Sequence, residues 1–175
     1  GCGGQAILGN HEFAGSGLHV VPVEHEGNQS QSLEEVGAVA RVVEILRGSS
    51  WRNRDGDVVP LDVAEEVLIV APYNAQVSAL RRRLPGMPIG TVDKFQGQQA
   101  VVVIYSMTSS SPENAPRGMG FLYSPNRFNV ATSRAHCAVI LVANDRLFEP
   151  NCRTPEQMGW ANGMCRFREL STRLP

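Results

Sequence analysis

The sequence predicts a doubly wound α/β fold: a mostly parallel sheet with helices on both faces. Three observations carry that reading. Val67–Ala71, Val101–Tyr105 and Ala138–Ala143 are short, almost wholly apolar runs rich in Val and Ile. Such runs, bounded by turn residues, are strands buried on both faces of a parallel sheet. Helical patterns stand between them, as crossovers between parallel strands require. Polar or Gly/Pro-rich stretches follow them, where open α/β sheets place their binding loops.

The elements follow in order. Residues 1–17 are Gly-rich and unpatterned, and are expected to be an irregular lead-in from a truncated upstream region. Leu18–Val23 reads as a strand. Glu24–Gln31 reads as a solvated polar loop. His25 stands there between two glutamates, but no second histidine lies at ligand spacing, so no metal site is expected. Ser32 caps a helix, and Glu35 three residues on completes a capping-box pattern. Val36, Val39, Ala40, Val43 and Leu46 form its apolar stripe, and Gly48 stops it. Trp51 is expected to pack on the domain edge, and Arg54-Asp-Gly-Asp marks a turn.

After Val67–Ala71, a helix is expected from Ala75 to Leu84, with Arg81, Arg82 and Arg83 as its solvated end. Ile89–Val92 is a short strand with Thr91 near its carboxyl end. Asp93 can cap the turn that follows, and Gly97 permits a sharp bend. Met107–Gly120 is a long loop with one cation, Arg117. Ser124 and Pro125 then start a helix reaching Ala135. Arg127 and Arg134 are seven apart, so they share a face about 10 Å apart. On a crossover helix that face must meet the sheet, and buried cations need a partner. They could pair with local carboxylates or snorkel to water; they could also face a polyanion such as a nucleotide phosphate. Both guanidiniums are then expected at the carboxyl edge of the sheet. Thr154-Pro-Glu-Gln opens a terminal helix with Met158, Ala161, Cys165 and Leu170 as its stripe. In all, 18–150 is expected as the main domain and 151–175 as a helix docked on it.

Composition sets bounds. Of 175 residues, 42% are hydrophobic and 19% charged, which excludes a disordered chain. No apolar run reaches the ~20 residues that span a bilayer, so no membrane partner is expected. The formal net charge of −1 gives no basic field, so any contact with nucleic acid must be local or shared. Four cysteines without C-x-x-C spacing suggest reduced structural thiols and a cytoplasmic location.

Three segments resemble a known family. Thr91-Val-Asp-Lys-Phe-Gln-Gly-Gln-Gln is similar to motif V of superfamily-1 helicases. Asn126-Arg-Phe-Asn-Val-Ala-Thr-Ser-Arg-Ala is similar to motif VI. Ala71-Pro-Tyr-Asn-Ala-Gln-Val resembles the motif IV region of the branch that includes the nonsense-mediated-decay RNA helicase and related bacterial helicase/nuclease proteins. They occur in the family's order, and the resemblance covers about 18–148. It implies a P-loop NTPase-like (RecA-like) fold, specifically the C-terminal, second RecA-like domain of a helicase core.

The resemblance also implies roles. Arg134 matches the arginine finger that reaches the γ-phosphate, and Arg127 the first arginine of the same motif. Gln96, Gly97 and Gln99 fall on the nucleotide side. Gln99 departs from the family, which usually has Glu there; an amide accepts a hydrogen bond but lacks the charge that strengthens it. Thr91, Pro72, Tyr73, Asn74, Ser106 and Thr108 fall on the side of the single-stranded DNA or RNA. The implied cofactor is ATP with Mg²⁺, bound mainly by an upstream RecA-like domain of the same polypeptide. No G-x-x-x-x-G-K-[ST] and no Walker-B carboxylate stand in this chain, so alone it should not hydrolyse ATP. Two rival readings are a non-catalytic single-strand-binding module and a small α/β enzyme with an unrelated site. Against the latter, no Ser/His/Asp or Cys/His set falls at strand ends.

Overall fold

The computed structural model describes residues 4–95 and 97–174. In chain order its strands and α-helices are β1 (Ala6–Leu8), β2 (Gly17–Pro22), α1 (Leu33–Leu46), β3 (Ser50–Arg52), β4 (Val58–Pro60), α2 (Val63–Glu66), β5 (Val67–Val70), α3 (Asn74–Arg83), β6 (Ile89–Gly90), β7 (Ala100–Ser106), α4 (Met119–Leu122), α5 (Pro125–Thr132), β8 (Ala135–Ala143), α6 (Pro155–Leu170) and β9 (Thr172–Arg173). Six strands form one sheet in the order β6-β5-β7-β8-β2-β9. Every neighbouring pair is parallel, so the expected mostly parallel sheet is wholly parallel among the described residues.

The strands bury both faces because alternate side chains leave on opposite sides. In β7, Val102 and Ile104 join the core beneath α1 and α3, with Val39, Val43, Leu46 and Leu80. Val103 and Tyr105 join the other core, beneath α5 and α6, with Leu141, Leu147 and Phe167. All seven residues of β7 are buried.

Several expectations are corrected. Part of residues 1–17 is strand: β1 pairs antiparallel with β3, and β3 with β4, making a second, three-stranded sheet. The β3–β4 connection does turn at Arg54-Asp-Gly-Asp, with the Asn53 side chain accepting from the Asp55 and Asp57 N–H groups. Trp51 packs against the core and donates to Glu66. Asp93 lies inside a 3-10 turn, Val92–Phe95, rather than capping it. The helix carrying the two arginines stops at Thr132, and Ala135 already begins β8. In α6 the buried stripe is Ala161, Met164 and Phe167, while Met158 and Leu170 are exposed. Arg81 is not simply solvated: its guanidinium donates to the Ile89 carbonyl at 2.9 and 3.3 Å, and Lys94 Nζ reaches the same oxygen at 3.2 Å.

Candidate functional site

Two arginines and a short turn make the cleft. α5 begins as expected, Ser124 Oγ accepting from the Arg127 N–H and Pro125 at the first position. The helix then runs back along the sheet from the carboxyl edge, so Arg134 reaches the start of β7, where its carbonyl accepts from the Ala100 N–H at 2.9 Å. The expectation that both arginines stand at the carboxyl edge is therefore corrected: the Arg134 backbone lies at the amino edge. Its side chain nonetheless lines the same cleft as Arg127. Val92, Asp93, Asn126 and Val130 complete that cleft, of about 190 Å³.

The electrostatics of the cleft are unbalanced. Arg127 Nη1 lies 3.7 Å from Asp93 Oδ2, and the Asp93 side chain is 77% exposed. Such a long, wet pair contributes little. Arg134 Nε is buried with no hydrogen-bond partner among the described residues, although buried N–H groups are almost always paired. The arrangement suits an anionic group entering from outside.

Beside the cleft, Phe121 carries cations. The Arg127 Cζ stands 4.4 Å and the Arg117 Cζ 3.9 Å from its ring centre. The Tyr73 ring packs at 5.7 Å from Phe121. Burial raises the Tyr73 phenol above its usual range, only partly offset by the Ser109 hydroxyl and the Arg117 charge.

The other expected residues are more dispersed. Gly97 turns with φ +83°, and both it and Gln99 are exposed. Gln96 lies outside the described residues. Thr91 is half-buried after β6, and its carbonyl accepts from the Lys94 N–H. Pro72 and Tyr73 are buried, and Asn74 is exposed as the first residue of α3. Tyr73, not Asn74, is the N-cap, and it gives no side-chain capping bond.

Ser106 and Thr108, expected to touch the strand, are fully buried and turned inward. They meet Glu35, which sequence reading placed only in a capping box. Its Oε2 accepts from Ser106 Oγ at 2.5 Å and from the Thr108 N–H at 2.8 Å. Its Oε1 lies 3.0 Å from His25 Nε2. His25 is therefore buried, not solvated, with Nδ1 2.7 Å from Ser110 Oγ. Only half of the capping box forms. Ser32 Oγ accepts from the Glu35 N–H, but the Ser32 N–H goes to Gln76 Oε1 instead of the Glu35 carboxylate. Gln76 Nε2 closes the network on Ser106. The hub ties the loop after β2 and the starts of α1 and α3 to the end of β7 and the loop that follows it. Thr108 has φ +74°, uncommon for a β-branched residue and sustained only where the surroundings fix it. The sequence signal that could have found the hub is Glu35 together with Ser106 and the Ser/Thr run 108–111 at a strand end.

Comparison with known proteins bears on what this architecture is. A family model described as an AAA domain matches residues 18–146. A probable helicase of Dictyostelium discoideum is 36% identical over 93 residues, 51% of this chain and 10% of that protein. The probable RNA helicase armi of Drosophila melanogaster is 38% identical over 93 residues, 48% of this chain and 8% of that protein. An uncharacterized ATP-dependent helicase of Methanocaldococcus jannaschii is 26% identical over 151 residues, 84% of this chain and 20% of that protein. The chain thus spans a fifth or less of the length of these relatives. No helix among the described residues is long and apolar enough to cross a membrane. With its parallel sheet, its three motifs in order and a family match over most of its length, the chain belongs to the AAA-domain family and is a superfamily-1 helicase domain of the branch that includes the nonsense-mediated-decay RNA helicase.

Proposed function

We propose that this chain is the second RecA-like domain of an ATP-driven helicase or translocase, and that it presents Arg134 as an arginine finger to a nucleotide held by an upstream domain. The observation that carries this reading is the cleft: Arg127 and Arg134 line it together, and Arg134 Nε is buried there without an acceptor. A guanidinium so placed can meet charge developing on a transferring phosphoryl group, a role worth about 10³–10⁵ in rate. Arg127 adds a second cation, held by Phe121 and Asp93. ATP with Mg²⁺ would supply the phosphoryl group and its metal, and this reading assigns the metal to the upstream domain. Thr91, Tyr73 and Asn74 form the rim for a single strand of DNA or RNA. Phosphate contacts there carry no base information, which suits a motor. Cleft closure over nucleotide would shift the grip on the strand by one step.

The test is Arg134→Ala in the full-length protein. Turnover of ATP should fall by about 10³-fold or more, while the circular dichroism spectrum and strand affinity stay near wild type. Unchanged turnover would remove the finger. No measurable nucleotide binding or turnover in the parent protein would favour the strand-binding module instead.

A further inference from the structure

We propose that Arg117 is a phosphate contact for the bound single strand, and that Phe121 is the positioning residue that holds it; this rests on the strand rim proposed above at Thr91, Tyr73 and Asn74. Two guanidiniums share the Phe121 ring, at 3.9 and 4.4 Å from its centre. Their central carbons are therefore no more than about 8 Å apart. Like charges that close repel unless something offsets them. The acidic offset is thin, because among the described residues Arg127 pairs only with the exposed Asp93, at 3.7 Å. Arg117 is exposed and makes no ion pair or hydrogen bond among the described residues. Attraction to the ring face holds the two cations. Contact with a ring consumes no hydrogen-bond donor, so the N–H groups of Arg117 remain unspent for an oxyanion.

The division of labour follows from position. Arg127 lines the cleft with Arg134, whereas Arg117 and Phe121 do not. Arg117 stands instead on the loop 107–118, on the side of Tyr73, whose ring anchors Phe121 at 5.7 Å. Phe121 therefore joins a nucleotide-side cation to a strand-side one through a single ring. A diester phosphate of a single strand is the anion that fits an exposed cation beside a buried aromatic rim.

The experiment uses the full-length protein with fluorescein-labelled oligo-dT and oligo-U, titrated across salt. Arg117→Ala should weaken strand binding about tenfold at low salt and reduce the salt slope by about 1, with the KM for ATP unchanged. Arg117→Lys should restore the slope but not the full affinity, because an ammonium does not stack as a planar fork does. Phe121→Leu should reproduce the Arg117→Ala loss of strand affinity with the circular dichroism spectrum retained, and, because the same ring holds Arg127, should also raise the KM for ATP. An unchanged strand affinity and slope in Arg117→Ala, or a shift in the KM for ATP alone, overturns the proposal. Arg134→Ala run in parallel keeps the two readings apart. Lost turnover there with no effect of Arg117→Ala sinks only the strand contact, and the reverse pattern sinks only the finger.

Discussion

Glu35 shows how one side chain can hold several loops. Its carboxylate accepts from Ser106 Oγ and the Thr108 N–H and meets His25, all away from water. Removing it would strand three buried polar groups at once, and the cost of breaking such a pair is about 3–5 kcal/mol. Glu35→Ala should therefore lower the urea midpoint by that much stability, and Glu35→Gln by less, since an amide still accepts. A loss under 1 kcal/mol in Glu35→Ala would show that water satisfies the hub. This residue was half-legible in the sequence. The Ser32–Glu35 spacing correctly gave the helix start, because Ser32 does cap. It could not show that Gln76, 44 residues away, takes the Ser32 N–H and frees Glu35 for the core. His25 was hidden for the same reason, since burial came from a loop 85 residues further on.

At the scale of elements, what repeats locally was readable and what pairs at a distance was not. β5, β7 and β8 announced themselves because burial on both faces demands unbroken apolar runs. α1 did so because Val36, Val39, Ala40, Val43 and Leu46 all bury as its stripe requires. β1, β3, β4 and β9 are two or three residues long, too short for any period to show. α6 was placed correctly but rotated, since Met158 and Leu170 fit a helical stripe as well as Met164 and Phe167 do. In the cleft, the seven-residue spacing suggested one helical face for Arg127 and Arg134, but α5 ends at Thr132 and Arg134 reaches the cleft from the turn before β8, at the amino edge, which no local period could show. The connection from β6 to β7 is equally constrained. It returns from one sheet edge to the other in nine residues, 91–99, and turns at Gly97 with φ +83°. Nothing lies within 4 Å of a Cβ built there, so Gly97→Ala tests backbone strain alone. It should cost about 1–2 kcal/mol, read from the shift in urea midpoint.

Across the whole molecule, acidity should loosen the fold through β2, the strand next to the β9 margin of the sheet. His19 lies in β2, 5% exposed, with both ring nitrogens unpaired among the described residues and the ring edge-on to Phe13 at 5.7 Å. Burial lowers its pKa below the ordinary 6.5. The unfolded chain therefore takes the proton first. Stability is full above about 6.5 and falls as pH drops through the lowered folded value. His19→Leu should flatten this part of the profile between pH 7 and 5 in urea melts, whereas an equally steep fall would assign the pH dependence to other groups.

The outermost strand, β6, has a further consequence. An open strand margin invites a second polypeptide to add itself by main-chain bonding. Here the Ile89 oxygen is already occupied by Arg81 and by Lys94, and the strand is two residues long. The margin is thus plugged by positive charge from its own neighbours, so molecules meeting side to side find repulsion instead of a template. Neutralising both cations should increase self-association, read by sedimentation velocity.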